Sequence, residues 1–94
     1  MSSADIRARR YAIRGRVQGV GFRHFVQQTG RELGVAGWVR NRPDGSVEAH
    51  AEAAEESLAA FRRALGQGPP LARVEDIHEA PAPIEGDDAF RITS

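Results

Sequence analysis

The sequence contains no cysteine and no lysine, and only one tryptophan, one tyrosine and one methionine. Without cysteine it can form no disulfide, thiolate nucleophile or cysteine zinc site. The three histidines, His24, His50 and His78, stand far apart and lack H-E-x-x-H or related ligand spacing. They read as surface or sheet residues, and no metal or other cofactor is expected. No apolar run approaches the roughly 20 residues of a membrane-spanning helix. The polar start, Met1-Ser2-Ser3-Ala4-Asp5, also lacks the apolar stretch of a signal peptide. These absences lead to the expectation of a cytoplasmic protein without membrane contact.

What is present is ordinary for a folded domain. With 94 residues, 40% hydrophobic and 28% charged, the chain has enough apolar material for one core and too little for two. A single domain over residues 1–94 is expected, with residues 1–6 flexible, and a monomer is the default. Net charge is zero but unevenly spread: residues 1–42 hold nine arginines against two acids, residues 43–94 four against eleven. The exclusive use of arginine reads as a coding bias, although an arginine-rich half can also attract a small anion. The balanced total argues against a nucleic-acid partner, which calls for a net basic footprint.

Periodicity gives the element order. Tyr11, Ile13, Gly15 and Val17 alternate with Ala12, Arg14 and Arg16, the pattern of a half-buried strand. Gln18-Gly19-Val20-Gly21 interrupts it, and Phe22, Phe25, Val26, Thr29 and Leu33 follow at helical spacing up to Gly34. Val35 to Asn41 reads as a strand, Arg42-Pro43-Asp44-Gly45 as a turn, and Val47, Ala49 and Ala51 as the apolar side of a third strand. Leu58, Phe61 and Leu65, with Ala54 on the same side, mark a second helix, ended by Gly66-Gln67-Gly68-Pro69-Pro70. Arg73 to Ala80 reads as a strand in which Val74 and Ile77 break alternation, so a bulge is expected there. Phe90-Arg91-Ile92 makes a short last strand. The order β-α-β-β-α-β with a short fifth strand predicts an α+β, ferredoxin-like sandwich, with two helices on one face of an antiparallel sheet. That fold serves many functions, so the site must decide.

The loop from Gly15 to Arg23 joins the first strand to the first helix. Glycines let successive N–H groups converge on an anion, and the helix start adds unpaired N–H groups and partial positive charge. Phosphate suits such a place. Arg23 lies in the first helical turn, where a cation opposes the helix dipole, and its guanidinium can hold two phosphate oxygens at once. Taken alone, such a loop is equally a plain strand-to-helix turn. It has neither G-x-x-x-x-G-K-[ST] nor G-x-G-x-x-G, so nucleotide hydrolysis fits poorly. Asn41 ends a strand just before a turn. An isolated Asn reads as a turn former, but beside the first loop its amide can orient a water without carrying charge. His24 follows Arg23 by about 100° around the helix, toward solvent or a neighbouring loop, and is left outside the site.

Together, G-R-V-Q-G-V-G-F-R (15–23) and G-W-V-R-N-R-P-D-G-S-V-E (37–48) resemble the acylphosphatase family, over nearly the whole chain from Tyr11 to Ile92. The closing Thr93-Ser94 departs from the family's common aromatic ending, which bears only on C-terminal packing. The resemblance implies a phosphate cradle built from the backbone amides of Gln18, Gly19, Val20, Gly21, Phe22 and Arg23. It also implies that Arg23 binds the phosphoryl group, that Asn41 positions the attacking water, and that the partner is a small-molecule acyl phosphate. Hydrolysis without a metal follows as an expectation, because a carboxylate leaves with little need for protonation.

Other readings compete. An RNA-recognition module shares the element order but needs aromatic residues on the third strand, and residues 47–53 have none. A ferredoxin-like metal chaperone needs C-x-x-C. A carbamoyl-phosphate-handling domain of a larger hydrogenase-maturation protein would continue into cysteine-rich zinc segments. A start at Met1 and an end soon after the last strand favour a free-standing enzyme instead. A non-catalytic anion-binding module is the remaining alternative.

Overall fold

The computed structural model describes residues 5–94; of the stretch expected to be flexible, residues 1–4 lie outside the described residues. The elements run β1 (Arg7–Arg16), α1 (Phe22–Leu33), β2 (Ala36–Asn41), β3 (Val47–Ala53), α2 (Glu55–Gln67), β4 (Arg73–Pro81) and β5 (Phe90–Ile92). They form one sheet in the order β4-β1-β3-β2-β5. The first four strands pair antiparallel, as the ferredoxin-like reading requires. The short β5 instead lies parallel to β2, Gly37 opposite Phe90 and Val39 opposite Ile92, so the sheet is mixed. The cause is the path of the chain: residues 82–89 cross the sheet to its far edge before β5 begins, a connection too long for a hairpin.

Both helices cover one face. α1 buries Phe22, Val26 and Gly30, α2 buries Leu58, Phe61 and Leu65, and these meet Tyr11, Ile13, Val39, Val47, Ala49 and Ala51 of the sheet in one core. Spacing of four along α1, and of three and four along α2, keeps each set on one side of its helix. Gly30 allows α1 to close on β5, because a Cβ there would lie 2.6 Å from the Phe90 ring.

The irregularity expected in the fourth strand is present. Arg14 pairs with Asp76 but Gly15 pairs with Val74, so Glu75 is the extra residue of a bulge. Gly15 is required opposite it: at φ +130°, a Cβ would come within 2.1 Å of the Arg73 carbonyl oxygen. The bulge lies on β4 opposite the end of β1, where the glycine loop begins.

The opposite face of β3 holds Glu48, His50 and Glu52, which are buried as well. Cross-strand neighbours Arg10 and Trp38 flank His50, and Arg40 lies beside Glu48. The crossing segment closes over them: the N–H groups of Glu85 and Gly86 both donate to the Glu52 carboxylate. Pairing offsets part of the uneven charge of the sequence. Arg9, Arg10, Arg14 and Arg40 from the basic half bind Glu55, Glu85, Asp44 and Glu48 from the acidic half.

Candidate active site

The loop after β1 delivers the chain to the start of α1 through Gly21, which is left-handed at φ 79°, ψ 18° and caps the helix without a side-chain bond. The first-turn N–H groups have no intrahelical partner, and no acidic residue in that turn competes for them. A bulkier residue at Gly21 would resist this conformation. The sequence thus leaves a cluster of donors open at the helix mouth.

A pocket of about 160 Å³ lies there, lined by Val17, Gly19, Gly21, Phe22, Arg23, His24 and Asn41. It brings together residues from the loop, the first turn of α1 and the end of β2. Of the six residues expected to form the cradle, Gly19, Gly21, Phe22 and Arg23 line this pocket; Gln18 and Val20 do not. Val20 packs against the core, and the Gln18 side chain turns toward Arg42 and Ser46. His24, which sequence reasoning left out, is exposed and yet forms part of the wall. At an open helix mouth, neighbouring first-turn residues can flank one opening despite their angular separation, a point that spacing along the helix does not reveal.

Electrostatically the pocket is unfinished. The ion pairs among the described residues use Arg9, Arg10, Arg14, Arg40, Arg42, Arg62 and Arg91, and Arg23 makes none. Asn41 Oδ1 is buried without a hydrogen-bond partner, which is costly unless a ligand or water supplies a donor. Larger hollows occur elsewhere, about 450 Å³ along the outer side of α1 and about 360 Å³ over Trp38. Size does not locate the chemistry, because the arginines around Trp38 are already engaged by Glu85, Glu48 and Asp87.

One group has the composition of a metal site. His50, Glu52 and Asp87 each bring a ligand atom within 4.8 Å of the others. The hydrogen bonds oppose that use. Arg10 Nε donates to His50 Nδ1 at 3.1 Å, so the proton of the neutral ring belongs on Nε2, which donates to Glu52 at 2.7 Å. A metal at Nε2 would have to displace that proton and turn Nδ1 into a donor facing another donor. Burial alone would raise the Glu52 carboxyl, but the N–H groups of Glu85 and Gly86 and the His50 ring outweigh it and hold the group below the usual glutamate range.

Comparison with known proteins identifies the family and the fold. The acylphosphatase family profile matches residues 9–92. An acylphosphatase of Bacillus licheniformis is 46% identical over 85 residues, covering 89% of this chain and 94% of the relative. The crystal structure of acylphosphatase from Bacillus subtilis superposes with a TM-score of 0.91 at 42% identity, covering 96% of this chain and all of that one. HypF of T. kodakarensis contains a similar unit, with a TM-score of 0.84 at 37% identity, covering 94% of this chain but 12% of that protein.

Proposed function

The chain belongs to the acylphosphatase family, and on that premise we propose that Arg23 and Asn41 carry its reaction. The enzyme hydrolyses acyl phosphates to a carboxylate and inorganic phosphate. The observation that carries the assignment of residues is the convergence, in one small pocket, of an unpaired arginine, an asparagine with an unpartnered acceptor and an uncapped helix start.

In this reading the phosphoryl group sits at the helix mouth, held by Arg23 and by backbone amides between Gln18 and Arg23. Asn41 holds the attacking water. The water oxygen bonds to phosphorus as the bond from phosphorus to the acyl oxygen breaks, and the carboxylate departs with the electron pair. The water proton passes to a phosphate oxygen, because an asparagine amide is no base at neutral pH. Phosphoryl transfer depends mainly on positioning and on stabilising charge over the equatorial oxygens. Arg23 and the N–H groups supply both, which supports turnover without a metal. His24 joins the wall of the site with no chemical step assigned to it.

All the described elements share one core, which supports reading residues 1–94 as a single catalytic domain. No helix among the described residues is long and apolar enough to cross a membrane; a cytoplasmic monomer remains our expectation. The test is hydrolysis of benzoyl phosphate in EDTA by wild type, Arg23→Ala and Asn41→Ala, each checked for folding by circular dichroism. Turnover in EDTA that disappears in both folded variants is expected. Full activity in either variant overturns its assignment, and dependence on added metal overturns the metal-free route.

A further inference from the structure

We propose that Gln18 is a positioning residue whose side chain fixes the distance between the phosphate loop and Asn41; this rests on reading Asn41 as the water-holding group. Gln18 Nε2 donates two hydrogen bonds, to the carbonyl oxygens of Arg42 and Ser46, each at 2.8 Å. Those carbonyls belong to the β2–β3 turn, which begins immediately after Asn41. The turn already closes itself: Arg42 N–H donates to the Ser46 oxygen at 2.9 Å and Gly45 N–H to the Arg42 oxygen at 3.1 Å. Each carbonyl therefore has one acceptor position left, and Gln18 fills both.

No other side-chain hydrogen bond among the described residues joins loop 17–21 to turn 42–46. Asn41 is paired with Val47 in the β2–β3 ladder, but among the described residues its side chain makes no hydrogen bond to the loop, and its Oδ1 is unpartnered. The Gln18 side chain is also absent from the pocket wall. It is thus placed to act on the reaction only through what it holds. The amide suits the task, since its two N–H groups can serve two acceptors from one nitrogen, whereas a carboxylate would repel both.

The Gln18 side chain sets the approach of water to phosphorus but supplies no contact to the phosphate itself. Any such contact comes from its backbone amide, which Gln18→Met keeps, so loss of the clamp should slow the chemical step and spare anion binding. Misplacement by about 1 Å costs on the order of 10²-fold in rate. The experiment compares wild type, Gln18→Met, Asn41→Ala and the double variant for kcat on benzoyl phosphate and for competitive inhibition by inorganic phosphate. Gln18→Met should lose about 10- to 100-fold in kcat with the phosphate inhibition constant changed less than about threefold. The double variant should be no slower than Asn41→Ala, because two residues acting through one function are not additive.

A kcat within about threefold of wild type, phosphate affinity falling in step with kcat, or fully multiplied losses in the double variant would each overturn the clamp. If Gln18→Met does not fold, Gln18→Asn, with its amide one methylene short, is read the same way. Full activity in Asn41→Ala removes the reading of Asn41 and the clamp with it. A crippled Asn41→Ala beside an unaffected Gln18→Met removes the clamp alone.

Discussion

The pocket at the start of α1 and the charged patch on the outer face of β3 are both built from polar side chains, yet they are finished to opposite degrees. Around β3, His50 and Glu52 are buried and almost fully engaged: Arg10 on one ring nitrogen, Glu52 on the other, and two backbone N–H groups on the carboxylate. At α1 the helix start has no side-chain cap, and among the described residues Arg23 has no carboxylate partner and Asn41 Oδ1 no donor. A folded chain satisfies its buried polar groups for its own stability, so a cluster left open marks where a ligand completes the set. The outer patch looks more like a site by composition, but there His50 and Glu52 are bound by the protein itself, and the one open acceptor, Asp87 Oδ2, lies on a carboxylate already paired with Arg91. Substitutions in the two regions should therefore separate: pocket changes cost activity and not stability, patch changes the reverse.

The largest effect is expected for Arg23→Ala. Removing the sole guanidinium of the pocket should lower kcat/KM for an acyl phosphate by about 10³-fold or more, roughly 4 kcal/mol. Because Arg23 makes no ion pair or side-chain hydrogen bond among the described residues, the urea midpoint should stay within the error of wild type. A large fall in that midpoint would mean that the arginine belongs to the scaffold after all.

Glu52→Ala tests the other region. It strands the His50 ring and the two N–H groups of the crossing segment, and breaking such a buried set costs about 3 kcal/mol. Chemical denaturation should show that loss, while the folded fraction keeps its specific activity. Asn41→Ala comes next: a loss of about 10²-fold in kcat with stability unchanged or slightly higher, since the variant removes a buried acceptor that lacks a partner. Reduced stability there would show that Asn41 has a structural role.

The contrast between the regions also explains what could be read from sequence. The strands and helices were legible because apolar spacing is a local signal, and even the β4 bulge showed as the misplaced pair Val74 and Ile77. Arg23 and Asn41, the residues proposed to carry the reaction, stand out in the sequence through two motifs. His24 in the pocket wall was not, because which side chains share an opening depends on how the helix mouth meets β2. The burial of Glu48, His50 and Glu52 was equally hidden. Alternation places them opposite the core, but nothing local says that residues 82–89, some thirty positions later, return to cover them. The parallel pairing of β5 follows from the same crossing and was missed for the same reason.

The smallest expected effect is a pH dependence of stability, and it too falls on the patch. The folded state holds the Glu52 carboxyl below its ordinary range, so its contribution is complete above the unfolded value of about 4.3. As pH falls through the lower folded value, the carboxylate takes up a proton and the contribution disappears. The N–H groups of Glu85 and Gly86 then lose a charged acceptor, and the crossing segment loses its anchor. Thermal melts between roughly pH 6 and 3 should show wild type losing stability across this range. Glu52→Gln should start lower and fall less steeply, because its amide does not titrate. Equal slopes in the two proteins would assign the acid sensitivity to other carboxyls, such as Asp44 or Glu85, which hydrogen bonds from Ser46 and Trp38 also hold low. Above neutrality neither protein should change through this group, since the Glu52 carboxyl is ionised in both the folded and unfolded chain.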